Sequence, residues 1–256
     1  MPTLSVIVIA RNESRNIADC VRSADFADEV VVLDSGSTDD TVEQARSAGA
    51  RVSVAPDWQG FGVQKNRALA LASGDWVFSL DADERITPAL REQILAAIAS
   101  PQGNVAFAVN RRSSFCGQYM RHSGWYPDRV LRLFRRDAAR FSDDLVHERV
   151  LADGPVGRLA GDLLHESMRD LESALVKLDR YSSAGARDLQ RRGVRGSLAA
   201  ALGHGAWAFF RTYVLRRGFL DGALGFVLAV SIAEGTYYRY LKLWLLQRTP
   251  PAGPPR

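Results

Sequence analysis

Lysine is nearly missing from this 256-residue chain: only Lys65, Lys177 and Lys242 occur, and the remaining 30 of its 33 basic residues are arginines. Cysteine is scarcer still. Cys20 and Cys116 stand far apart with no CxxC pair, which excludes a zinc ribbon, a thioredoxin motif and a disulfide scaffold and fits a reducing compartment. Both read as buried small hydrophobes rather than reactive thiols. No GxGxxG follows the first apolar run, so a Rossmann dinucleotide site is unsupported; GxxxxGK[ST], HExxH and GxSxG are absent too. Gly60-Phe61-Gly62 is half a dinucleotide fingerprint with no phosphate turn behind it. Long apolar runs are also missing: those at 198–210 and 222–233 have 13 and 12 residues between charges, where a spanning helix needs about 20. The run Leu4–Ala10 has no basic residue before it and is too short for a signal segment. Neither a leader nor a transmembrane segment is expected, and no internal repeat is found.

What is present is an ordinary folded composition, 46% hydrophobic and 24% charged, on a length that allows one large domain or two small ones. The net charge of +4 conceals a segregation. Residues 1–100 carry 9 Lys/Arg against 15 Asp/Glu, and the rest carry 24 against 14. Arginine binds phosphate or carboxylate as a planar fork, lysine as a point charge. An acidic front therefore points to metal or nucleotide chemistry, and a basic rear to an anionic partner. A high-GC genome accounts for arginine over lysine but not for the segregation.

The first hundred residues alternate short β-branched runs with helical patterns, the signature of βαβ units. Strands are expected at Leu4–Ala10, 29–33 (EVVVL), Arg51–Val54 and 76–80, and helices at 14–22, 37–48, 64–72 and Pro88–Ala99. Ser37-Thr38-Asp39-Asp40 reads as the cap of the second helix, and proline opens the fourth. From 104 to 164 short strands and loops dominate (VAFAVNRRS, RVLRLFRR). Helix is expected from 171 to about 247, and a disordered tail at 249–256 (TPPAGPPR).

Three strand ends carry polar groups: Ala10-Arg11-Asn12-Glu13, Asp34-Ser35-Gly36-Ser37 and Asp81-Ala82-Asp83-Glu84. Ligands of open parallel sheets sit outside the carboxyl ends of the strands. The third end is a DxD. One carboxylate would reach a ribose or a bridging water while the other binds a divalent metal, and hard oxygen donors suit Mg²⁺ or Mn²⁺ bridging two phosphates of a nucleotide. Acidic pairs in turns are commonly solvated caps; this one ends a hydrophobic strand and is one of three aligned polar ends.

The runs LSVIVIARNES, EVVVLDSGSTDDT and GFGVQKNRALALASGDWVFSLDADE resemble the inverting glycosyltransferases of family 2. WYPDRVLRLFRR, VHERV and LLHESMRDL resemble the branch that adds a sugar to the lipopolysaccharide inner core. The resemblance implies an α/β fold of the GT-A type: a Rossmann-like nucleotide-sugar-binding domain with a mostly parallel central sheet over 1–170. A C-terminal helical extension at 171–248 and the tail at 249–256 would follow.

By that resemblance Ala10, Arg11 and Glu13 line the nucleotide pocket, and Asp34 accepts hydrogen bonds from uracil or ribose. Asp81 contacts the ribose or a metal-bound water, Asp83 ligates Mn²⁺ or Mg²⁺, and Lys65 and Asn66 close over the nucleotide. The implied reaction is a single in-line displacement at the anomeric carbon, with a carboxylate deprotonating the acceptor hydroxyl. Glu148 of His147-Glu148-Arg149 stands where the family carries its acidic base, with His147 in place of the usual first acid; Asp128 is the second candidate. His165 is a candidate contact for metal or diphosphate. Arg129, Arg132, Arg135 and Arg136 are candidates for phosphate, though alternation in RVLRLFRR suggests a strand with some arginines merely exposed.

Residues 198–246 mix aromatic side chains with Arg211, Arg216, Arg217, Arg239 and Lys242, a pattern for an interfacial contact with anionic lipid or for helices packing on the catalytic domain or a second copy. The expected enzyme is cytoplasmic, peripheral on the inner face of the cytoplasmic membrane, and moves glucose from UDP-glucose to the heptose region of a glycolipid acceptor. The alternatives are another glycan or lipid-linked acceptor, or a sugar-nucleotide-binding protein without turnover. No nucleic-acid motif is found.

Overall fold

The computed structural model describes residues 2–142 and 148–248. The first half runs β1 (Leu4–Ala10), α1 (Ile17–Ser23), β2 (Glu29–Asp34), α2 (Thr41–Ser47), β3 (Arg51–Val54), α3 (Phe61–Leu71), β4 (Trp76–Asp81), β5 (Glu84–Ile86) and α4 (Pro88–Ala99). The second runs β6 (Ala106–Phe115), β7 (Gln118–Tyr119), β8 (Asp128–Arg135), β9 (Ala139–Phe141), β10 (Val150–Ala152), β11 (Val156–Met168), α5 (Leu171–Arg191), α6 (Leu198–Phe210) and α7 (Gly222–Arg248). The described residues form two compact units, one within Met1–Arg112 and Pro127–His165, the other within Ser113–Tyr126 and Glu166–Arg256.

In the first unit, β3-β2-β1-β4 is a parallel block, as the βαβ pattern requires. Successive side chains of a strand face opposite sides, and β1 feeds two cores accordingly. Leu4, Val6, Val8 and Ala10 pack with Ile17 of α1 and with Leu90 and Ile94 of α4. Ile7 packs with Val31, Leu33 and Val77 and with Ala68 of α3. Burial on both faces is why these strands read as unbroken apolar runs.

The sheet continues from β4 through the order β8-β6-β11-β5, with antiparallel pairing at β4–β8, β8–β6 and β11–β5. Only Ala82 and Asp83 separate β4 from β5. Four strand spacings laid flat would span about 19 Å, and this link reaches about 11 Å at most. The antiparallel half must therefore curl back on itself, carrying β11 round to the end of β4.

Helix starts differ from the sequence expectation for local reasons. α2 begins at Thr41 because Ser37 and Asp39 are spent elsewhere: Ser37 on Asp34 and Asn12, Asp39 on Thr41. α3 begins at Phe61, just after Gly60 at φ +110°, so the Gly-Phe-Gly run opens a helix.

In the second unit, α5 is capped reciprocally by Asp170 and Ser173 and α6 by Ser197. After α6 the chain makes a π turn (Arg211–Leu215) and a 3₁₀ turn (Gly218–Asp221) and enters α7, which packs along both α5 and α6. A β-carbon on Gly225 would meet the Gly218 carbonyl at 2.0 Å, so glycine is what lets this bend close. The apolar run expected to stop at 233 does not end the helix: α7 passes Glu234 unbroken to Arg248. Gly218–Arg248, with mean hydropathy 1.4 over its most apolar window, is long and apolar enough to cross a membrane by length and composition. Cys20 is buried as expected, but Cys116 is only half-buried. His147 and the tail 249–256 lie outside the described residues.

Candidate functional site

The parallel pairing sets three strand ends level, Ala10 opposite Asp34 and Ile9 opposite Asp81. At the first, Arg11 is exposed and Glu13 half-buried. Asn12 takes φ +56°, a conformation asparagine tolerates better than most residues. Its backbone N–H donates to Ser37 Oγ (2.8 Å), and its side-chain oxygen accepts the Thr38 N–H (2.8 Å). The Glu13 N–H donates to Thr41 Oγ1 (2.7 Å), and the Glu13 carboxylate accepts Asn16 Nδ2 (2.7 Å).

The Asp34 carboxylate is buried and accepts the N–H groups of Gly36 (2.9 Å) and Ser37 (2.8 Å) and the Ser37 hydroxyl. Gly36 at φ +83° makes that turn possible. Asp34 fixes the shape of the loop, and of about four acceptor positions on a carboxylate it uses three.

At the third end both oxygens of Asp81 meet cations. Oδ1 lies 2.9 Å from Lys65 Nζ and Oδ2 2.5 Å from Arg132 Nη2. Burial alone would push this carboxyl up; the Arg132 and Lys65 charges outweigh it and hold it well below the usual carboxylate range. Arg132 is itself buried and also meets Glu84 Oε1 at 2.5 Å. Those two carboxylates overcome the burial penalty and raise its guanidinium further. Glu84 is fully buried, and burial pushes its carboxyl up, with Asp81 adding to the effect against the pull of Arg132. Its second oxygen accepts the Asp81 N–H (3.0 Å), while Arg85 donates to the carbonyls of Ala82, Glu84 and Asn16. The DxD turn is thus held from both sides. Cys20, whose thiol burial keeps protonated, lies 3.5 Å from the Asp81 carbonyl.

Lys65 is buried on α3 and spans two carboxylates: besides Asp81 it meets Glu148 Oε1 at 2.8 Å. Glu148 therefore stands one lysine away from the DxD strand end. Asp128 lies apart from that pair, its carboxylate taken by Nε (2.9 Å) and Nη2 (2.7 Å) of Arg111, which also approaches Glu84 at 3.8 Å. Asn66 points elsewhere: its side chain pairs with both the N–H and the carbonyl of Phe141 and so ties α3 to β9.

Asp83 comes together with His165. Their Oδ2 and Nε2 atoms are 3.3 Å apart, because the β5–β11 register sets His165 opposite Glu84. Among the described residues no third histidine, cysteine or carboxylate completes a metal cage. One carboxylate with one imidazole fits a cation that takes its other ligands from phosphate and water oxygens. Of the phosphate candidates, Arg132 is consumed by carboxylates, Arg135 pairs with Asp137 (3.0 Å), and Arg136 donates to the Gly74 carbonyl; Arg129 is exposed. Asn12 and Glu84 were legible only as members of polar strand ends, with no role of their own, and Arg111 was not singled out. The one available signal was the E-R-I alternation after the DxD, too short to declare a strand.

The family profile described as Glycosyl transferase family 2 matches residues 5–151. The chain belongs to glycosyltransferase family 2. It is 32% identical to the lipopolysaccharide core biosynthesis glycosyltransferase LpsC of Rhizobium meliloti, over 93% of each chain. It is 30% identical to an uncharacterized glycosyltransferase of Rickettsia typhi, over 95% of this chain and 87% of that relative. In fold this glycosyltransferase resembles a glucosyl-3-phosphoglycerate synthase from Mycobacterium tuberculosis, crystallised with Mn²⁺, uridine diphosphate and phosphoglyceric acid. The TM-score is 0.50 at 23% identity, covering 77% of this chain and 80% of that one.

Proposed function

We propose that this glycosyltransferase takes a nucleotide sugar, UDP-glucose first among the candidates, at the ends of β1, β2 and β4. It would transfer the hexose with inversion to the heptose region of a lipopolysaccharide core on the inner face of the cytoplasmic membrane. The observation that carries the reading is the convergence of Asp83 with His165 beside Asp81. The likeness to LpsC along nearly the whole chain supports the acceptor class.

Asp83 and His165 would hold a divalent cation, Mn²⁺ suiting the imidazole better than Mg²⁺. A bound cation supplies positive charge against the departing diphosphate. Arg11, Glu13 and the Asp34 turn would line the nucleoside. Glu148 accepts the proton of the attacking hydroxyl as that oxygen closes on the anomeric carbon from the side opposite the diphosphate. The lysine that Glu148 shares with Asp81 sets it beside the DxD strand end and favours Glu148 over Asp128.

A panel of UDP- and GDP-sugars with Mn²⁺, Mg²⁺ or EDTA, read by thermal stability and slow donor hydrolysis, tests this. Metal-dependent stabilisation and hydrolysis confined to one UDP-hexose is the expected result. Stabilisation without hydrolysis or transfer would favour a binding protein, and silence toward every nucleotide sugar would overturn the reading.

A further inference from the structure

Seven of the most exposed large apolar side chains sit within twenty residues of one another, around the bend that joins α6 to α7. Trp207, Phe210, Leu215, Phe219, Leu220 and Phe226 are between 45% and 56% exposed, and Val214 is exposed beside them. Soluble surfaces scatter such residues singly; a contiguous group marks a contact.

The charge around the bend is of one sign. Residues 189–220 hold six arginines and no aspartate or glutamate, and Arg211, Arg216 and Arg217 are exposed. The next acid, Asp221, is buried, where it accepts the backbone N–H groups of Arg121 (3.1 Å) and His122 (3.0 Å) and meets His122 Nδ1 (3.0 Å). It neutralises nothing at the surface. The bend is also formed in advance: Asp221 clamps it, and Gly225 packs against the Gly218 carbonyl, so little ordering entropy is lost on docking.

From these observations we infer that the α6–α7 bend seats this enzyme on an anionic lipid bilayer, its aromatic and aliphatic side chains in the interface and its arginines among the headgroups. The inference rests on the membrane location proposed above and names the surface that achieves it. α7 lies on the membrane and does not span it. It carries Glu234 near its middle and Arg239 and Lys242 in its second half, which is packed by the charged helix α5, with Lys242 Nζ 2.6 Å from Asp179 and hydrogen-bonded to Ser182 and Ser183. A helix in hydrocarbon does not keep such company. Exposed apolar side chains also stand on α5 (Leu175, Val176) and near the end of α7 (Leu245, Leu246), but the densest group, and the one flanked by exposed arginines, is at the bend.

The test sediments the full-length protein with vesicles of phosphatidylglycerol and phosphatidylethanolamine, or of phosphatidylcholine alone. Binding to the anionic vesicles only, released by high salt, is expected, with brominated acyl chains quenching a fluorescence component that Trp207→Phe removes. L215E/L220E should lower binding about tenfold or more with circular dichroism and melting unchanged. R211Q/R216Q/R217Q should lower it roughly fivefold per arginine and flatten its salt dependence, a second handle should the first variant fold poorly. Three results would overturn the inference: no binding to anionic vesicles; binding that resists salt and carbonate and yields only to detergent, as a span does; or wild-type dimers that L215E/L220E dissolves while vesicles leave both proteins untouched. Donor stabilisation measured on the same preparations keeps the two readings separable. Its loss with vesicle binding intact would condemn the donor site alone.

Discussion

Arginine does opposite work in the two units. In the first, Arg132 is 7% exposed and locked between two carboxylates, and its Nε is a buried donor without a partner among the described residues. In the second, Arg211, Arg216 and Arg217 stand in solvent among exposed aromatic rings. A buried cation is held by charges that cannot be removed singly without leaving the other uncompensated. An exposed one contributes almost nothing to the fold and is free to meet a partner. Charge that shapes a site and charge that meets a surface are thus told apart by burial, not by residue type.

Substitutions can break or sharpen that contrast. The largest effect is expected at the candidate base: Glu148→Gln should cut sugar transfer by about 10²–10⁴-fold while donor-induced stabilisation persists. Transfer near the wild-type rate would reject Glu148 and turn attention to Asp128. Next is Arg132→Leu, which strands Glu84 in the core and should cost about 3–5 kcal/mol in urea unfolding. The double variant Arg132→Leu/Glu84→Gln should recover part of the loss, and no recovery would mean the pair is not energetically coupled.

A smaller effect is expected from pH. Glu29 accepts hydrogen bonds from Ser5, Arg51 and Ser73. They outweigh its burial penalty and lower its carboxyl from about 4.5 to about 2. That stabilisation is present above pH 4.5 and is lost as pH falls from there toward 2. Glu29→Gln should therefore be less stable at neutral pH and should flatten the fall in unfolding free energy across that window; an unchanged slope would assign the acid sensitivity to other carboxylates. The smallest effect belongs to the exposed side of the contrast. Arg216→Gln should change unfolding free energy by less than about 0.5 kcal/mol. A larger loss would show that this arginine supports the bend.

Much of the first unit was legible because its signals are local. LSVIVIA, RVSV and PALREQILAAIA each settle their own conformation, and the observed β1, β3 and α4 have the expected bounds. Glu84 and Arg132 were not legible as a pair. Glu84 read only as the last residue of a polar strand end and Arg132 as a phosphate candidate, because nothing in either segment encodes the curl that brings β8 and β5 together. The sequence offers His165 as a candidate contact for metal or diphosphate without a partner residue; only the β5–β11 register gives it Asp83 as a neighbour. The helical pattern to about 247 did foretell the reach of α7 past Glu234; its packing along both α5 and α6 was not legible.

By itself, the sequence determined the parallel block, the level of its polar strand ends, the family, and the split between an acidic front and an arginine-rich rear. Each of these depends on periodicity, composition or short runs, which neighbouring residues decide. Tertiary structure alone decided which charges are spent on one another, which carboxylate keeps an imidazole, and which apolar side chains are left facing water. Those outcomes depend on distances between segments far apart in the chain, and the energy of a charge or a ring turns on its burial and partners rather than on its identity.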